Sequence, residues 1–264
     1  MTAARALAFV ASALGRGDWG QAMAAELAQV SGRRRPRQFV AGCLVALVVS
    51  LPVLARAALG CGLLSLAVVA AALVRYPGLV TGPSTWVAVG FFVSLVVGYI
   101  VVAAGLSTRL ANARALLAAV AVGVGIASAW MAVGLSAALS APSAVSVTML
   151  ALGPGVAVVT GAWTTHRSSW HLGMQCVGLA SLQAGFVLFL LWAGETVAFA
   201  GRPYDPGLLS DFRASGSHDL ATYAVSDSLG SGMMLLLLVP LVSLVSGAAG
   251  AAAASRARAA RRTG

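Results

Sequence analysis

Few residues in this 264-residue chain carry chemistry, and their spacing assembles no familiar catalytic set. Glu195 follows Trp192 near the end of the apolar run 172–198. An ionisable side chain in such a run is costly enough to mark a functional carboxylate. Gln175, Ser181 and Gln183 share that run. Their default chemistry is hydrogen bonding between helices, at about 0.6 kcal/mol each, and Gln183 is the candidate to line a polar path. Gly153-Pro154-Gly155 falls midway along another run. Proline removes a backbone donor there, and unwound backbone at mid-bilayer survives only beside protein or a water-filled cavity. Transporters place substrate sites at such breaks; the plainer reading is a kink in a packed helix. His166 and His171 lack a third ligand at metal-binding spacing, as does His218-Asp219. The chain has no Walker motif, Gly-x-Ser-x-Gly, His-Glu-x-x-His or paired catalytic carboxylates. No catalytic residue, metal or cofactor is therefore expected, and an intramembrane enzyme ranks behind the readings below.

Those positions must be held by elements built almost wholly from apolar residues. Hydrophobic residues make up 59% of the chain and charged residues 9%, with a mean hydropathy of +0.92. Soluble domains carry about 25% charged residues, so most of this chain cannot face water. Runs of ~20 apolar residues match a ~30 Å hydrocarbon layer, and their continuity excludes the period-two alternation of a barrel. The expected fold is all-α, a polytopic helical membrane bundle. A net charge of +10 carried entirely by arginine would suggest nucleic acid in a soluble protein. Here the arginines sit at the ends of apolar runs, where topology demands them, so no nucleic acid is expected. Cys43, Cys61 and Cys176 lie inside apolar runs and read as small buried hydrophobes.

The first 38 residues read as a cytoplasmic prefix. Residues 2–14 are too short and weak an apolar stretch for a signal peptide. Asp18 is a favoured N-cap with Gln21 at the capping-box position. Trp19, Met23, Leu27 and Val30 then form an amphipathic stripe flanked by Glu26. Such a helix lies on the membrane surface or docks a soluble partner. Trp19-x-x-Ala22-Met23-x-x-Glu26-Leu27, a basic patch, then Phe39-Val-Ala-Gly42-Cys43 is similar to the prefix of uncharacterised integral membrane proteins common in actinobacteria. The all-arginine, Ala/Val/Leu/Gly-rich composition has the same association. The resemblance covers about a tenth of the chain and implies membrane location, with no catalytic residues to transfer.

Apolar runs occupy about 39–55, 57–74, 84–105, 115–138, 143–164, 172–198 and 230–253. If all crossed, with Arg33–Arg37 inside, every later arginine cluster would fall outside, against the positive-inside tendency. If 39–55 is interfacial or re-entrant, six spans remain, and Arg109, Arg114, Arg167 and Arg256–Arg262 all fall inside. Seven spans with the N-terminus outside is the alternative. The expected organisation is prefix 1–38, bundle 39–254 with an outer loop 199–229, and basic tail 255–264. Around that loop, five carboxylates from Glu195 to Asp227 against two arginines leave a net charge of −3.

Both termini are thus expected in the cytoplasm of a bacterial plasma membrane. The plan resembles the six-span permease subunits of ABC-2-type exporters, which implies a separate cytoplasmic ATPase. A transport-associated subunit would use Gly153, Pro154, Gly155, Gln183 and Glu195 as pathway or hinge. The alternative is a membrane-anchored regulatory or scaffold protein that recruits a soluble regulator through Trp19, Met23, Glu26 and Leu27. The lipid bilayer is a partner in both, and a homo-oligomer is compatible with either.

Overall fold

The computed structural model describes residues 17–29, 35–50, 53–80, 83–109, 121–128, 143–167, 169–199, 206–216 and 219–263. They are helical almost throughout, with no strand among them. In chain order the helices are α1 (Gly17–Gln29), α2 (Arg35–Ser50), α3 (Val53–Arg75), α4 (Pro83–Arg109), α5 (Ser143–Arg167), α6 (Trp170–Phe199), α7 (Pro206–Ser215) and α8 (Leu220–Thr263). A 3-10 turn, Pro77–Val80, joins α3 to α4, and residues 121–128 form a further helical stretch.

Among the described residues, four helices are long and apolar enough to cross a membrane: Arg56–Arg75, Thr85–Ser107, Trp170–Ala198 and Leu220–Arg261. The chain is therefore a helical membrane protein. α2 has 16 residues, about 24 Å at 1.5 Å per residue, which is shorter than a ~30 Å hydrocarbon core. Of the expected run 115–138, all but 121–128 lies outside the described residues, while 143–164 falls within the 25-residue α5.

Two stretches differ from their expected form. Residues 199–229 include α7 and the first ten residues of α8 rather than loop alone. Polar composition hid this start, because Asp219 caps α8 through the Ala221 and Thr222 amides at 3.1 and 3.2 Å. Phe212 of α7 also stacks on Tyr223 at 5.7 Å. The basic tail is likewise a continuation of α8 up to Thr263, as its Ala-rich sequence favours.

α6 is the axis of the bundle. Some 72% of its most apolar window is buried, against 22–33% for the other three candidate spans. Its apolar residues surround the whole circumference, the pattern of a helix enclosed by others. α3 and α4 pack on one side of it through Phe92, Val96 and Leu179, with Phe92 and Phe189 ring centroids 4.9 Å apart. α5, α8 and residues 121–128 pack on another side through Ala157, Ile126, Ala184 and Val239.

Lipid tails are as apolar as leucine, so helices associate in a bilayer by close packing and hydrogen bonds. α5 and α8 meet at glycines: a methyl group on Gly161 would collide with the Gly247 carbonyl, and one on Gly250 with that of Val158. A methyl on Gly123 would lie 2.5 Å from the Ala180 carbonyl oxygen.

The interior of α8 also contains Pro240. Proline cannot donate to the carbonyl four residues back, which is that of Leu236. The Tyr99 hydroxyl of α4 donates to that carbonyl at 2.9 Å. The Tyr99 ring stands edge-on to Phe186 at 5.8 Å and 84°, and Gly185 admits the Pro240 ring. Three helices thus converge on the one carbonyl that Pro240 cannot pair.

Charge divides between the two ends. Arg56, Arg167, Arg256, Arg258 and Arg261 lie at one end. The other end has Arg75 and Arg213 with Glu195, Asp211, Asp219 and Asp227. Between them runs a belt of exposed apolar side chains, including Leu63, Val87, Phe91, Val97, Leu237 and Leu241.

Replacing Tyr99 by Phe removes the donor to Leu236 and is expected to lower unfolding free energy in micelles by about 1 kcal/mol. Gly161→Leu, which overfills the α5–α8 crossing, is expected to cost about 1–3 kcal/mol or more. Denaturant titration followed by circular dichroism checks both. An unchanged midpoint for Gly161→Leu would mean the two backbones do not meet there.

Candidate functional site

The residues singled out by chemistry are distributed rather than assembled. α5 passes through Gly153-Pro154-Gly155 as continuous helix, with Gly153 buried, Pro154 half-buried and Gly155 exposed. Gln183 is half-buried on α6, and its Nε2 donates to Cys61 Sγ of α3 at 3.5 Å. Its Cβ also faces Gly123, so the amide sits where three segments meet and acts as a link between helices. Ser181 turns its hydroxyl onto its own helix, donating to the Gly178 carbonyl at 2.8 Å.

Glu195 is exposed, four residues before the end of α6. Twelve residues separate it from Gln183, or about 18 Å along the helix. Close to the helix end, a glutamate reaches headgroup level without the cost of a buried charge. Among the described residues no hydrogen bond joins Gln183, Glu195 and Gly153–Gly155. On α1, Met23 is half-buried and Glu26 exposed; Trp19 and Leu27 lie on the same helix. α1 packs against α2.

The three cysteines are free. Among the described residues no three His, Cys, Asp or Glu side chains come together to hold a metal ion. His166 and His171 are both exposed at the α5–α6 turn.

The basic end is organised by Arg258 of α8. Its Nη2 donates to the Thr165 carbonyl at 2.7 Å and also to that of His166. These are last-turn carbonyls of α5, left without partners in their own helix. A cation there also meets the negative end of the helix dipole. Arg167 stacks over Trp163 at 4.8 Å. Trp163 and Trp170, 51% and 39% exposed, place amphipathic rings at the level where headgroups meet hydrocarbon.

The acidic end contains a cavity of about 310 Å³. Val69 and Leu73 of α3, Val89 and Phe92 of α4, and Leu229 and Met233 of α8 form its walls. Leu79 of the 3-10 turn also lines it, as do Thr85, Ala88, Ser226 and Gly230. None of the five pathway candidates does. Sequence reasoning passed over these residues because most lie in ordinary apolar runs and Leu79, Ser226 and Leu229 in the connections between them; the one signal was Ala88 and Gly230, small residues among bulky ones.

No protein-family model, curated protein or solved structure matches the chain, so the site is read on its chemistry alone.

Asp219 is the titrating group the geometry defines best. The Thr222 hydroxyl donates to its carboxylate, and the Ala221 and Thr222 amides add further bonds. Chiefly through the Thr222 hydroxyl, these hold its carboxyl below the usual carboxylate range. A depressed carboxyl stabilises the fold above its unfolded pKa, and that contribution is lost as pH falls through the folded value. Hydrogen exchange at residues 221–223 is therefore expected to quicken, beyond the intrinsic effect of pH, as pH falls through and below the ordinary aspartate range. In Asp219→Ala it is expected to be fast at neutral pH already.

Proposed function

We propose that the chain is a multi-pass protein of a bacterial plasma membrane with its basic end in the cytoplasm. On this reading six segments cross: 57–74, 84–105, 115–138, 143–164, 172–198 and 230–253. The separation of charge between the two ends carries the proposal. Among the described residues of α3–α8, Arg56, Arg109, Arg167, Arg256, Arg258, Arg261 and Arg262 lie at one end with no carboxylate, against two arginines and four carboxylates at the other. Arginine near the ends of spans is retained on the cytoplasmic side. The exposed apolar belt between the ends fits contact with lipid.

Within that frame we propose a membrane-embedded subunit that serves a soluble cytoplasmic protein, with α1 as the docking element. The interior around α6 supports this, because Phe92, Phe186, Phe189, Leu188 and Leu236 fill it, each at most 1% exposed. A subunit of an ABC-2-like exporter is the form this role takes if the partner is an ATPase. The short α2 between surface helix and first long span favours that plan. A regulator as partner makes the chain an anchor or scaffold.

Single cysteines at residues 57, 78, 216 and 260, in a background lacking the three native ones, test the orientation. Residues 78 and 216 are expected to react with an impermeant maleimide on intact cells. Residues 57 and 260 are expected to react only after permeabilisation. Labelling of 57 from outside would invert α3 and sink the six-span scheme.

A further inference from the structure

We propose that the cavity between α3, α4 and α8 is a lateral crevice for one hydrocarbon chain of a membrane amphiphile, entered from the bilayer half beside the acidic end. The proposal rests on the membrane reading above. Its first support is the mouth. Ala88, Ser226 and Gly230 are exposed, and so are their apolar neighbours Val87, Phe91 and Met234. The opening is continuous with the lipid-facing belt.

The second support is where the crevice is closed. Toward mid-membrane the Tyr99–Leu236 bond ties α4 to α8, and Phe92 lies against Phe189. Toward the acidic end the 3-10 turn is fastened to both neighbours. The Thr85 hydroxyl donates to the Leu79 carbonyl at 2.7 Å, and Gly78 lies against the Thr222 side chain. A ligand therefore enters sideways, from lipid.

The third is the chemistry of the walls. Apart from Thr85 and Ser226 the lining side chains are apolar, and the Thr85 hydroxyl is engaged by Leu79. The volume of ≈ 310 Å³ equals about ten units of the ~30 Å³ that a water occupies in the liquid. A methylene group is of similar size, so roughly ten carbons of one chain fit. A tail arriving from the bilayer gains packing rather than dehydration, so shape is what selects it. The chain's own helical stretch 121–128 is not the occupant, since none of its residues lines the cavity and it packs instead with Val239, about 80–120° around α8 from Leu229 and Met233.

The test uses the full chain in phosphatidylcholine vesicles containing a phospholipid with a photoactivatable diazirine at mid-chain. Adducts are mapped by peptide mass spectrometry. Adducts at Val89, Leu229 and Met233 are expected to exceed severalfold those at Val97 and Leu241, which are exposed on α4 and α8. Gly230→Phe should lower the crevice adducts severalfold and leave Val97 and Leu241 unchanged. A Cβ at Gly230 meets nothing within 4 Å, so the backbone there accepts a side chain; Ala88→Leu, at an exposed position, repeats the test. Even labelling, or crevice adducts that neither variant lowers, overturns the crevice. Absence of adducts everywhere, Val97 and Leu241 included, overturns the membrane reading instead.

Discussion

Hydrocarbon offers a backbone amide nothing to bond with, and the described bundle is shaped by that constraint. It explains why the apolar runs are helices, each satisfying its own backbone. It also explains why side chains reach across helices to backbone carbonyls inside or at the edge of the belt, as Arg75 of α3 does to the Val197 carbonyl of α6 and as two further cases show. Pro240 leaves the Leu236 carbonyl without a donor, and Tyr99 provides one from α4. The last turn of α5 ends in bare carbonyls, and Arg258 reaches them from α8. In water either defect would be hydrated at little cost; here each becomes a fixed link between helices.

Those links pin the elements that glycine lets approach. Gly161, Gly247 and Gly250 bring the α5 and α8 backbones together, while Arg258 ties the same pair near the basic end. Tyr99 ties α4 to α8 at the level where Gly185 of α6 receives Pro240. Beyond that level, toward the acidic end, α3, α4 and α8 leave the crevice lined by Leu229 and Met233. Tight crossing and open crevice are therefore two outcomes along one helix.

Much of this architecture was legible in the chain. Run 84–105 lies within α4 and 172–198 within α6 because continuous apolar sequence has one stable form in a membrane. Gln183, a candidate for a polar path with interhelical bonding as its default chemistry, donates to the Cys61 sulfur, a partner that depended on adjacency no local pattern encodes. The early start of α8 was hidden because Asp219 and Thr222 look like loop residues until their mutual bond is seen. The crevice was hidden for a different reason: it belongs to no residue, only to a gap between three helices. Glycine and proline at 153–155 announced a break, yet α5 keeps its helical form through them.

The uneven burial of the helices has a consequence for how such a chain ages. Around α6, with 72% of its core window enclosed, nearly every side chain has neighbours whose shapes must agree with its own. Along α4, with 22% enclosed, most side chains meet only lipid, and any greasy residue of tolerable size serves there. Selection on the first is combinatorial; on the second it asks only for solubility in oil. Over long descent the rim of this bundle should turn over its letters freely, while the axis keeps a memory of the original packing.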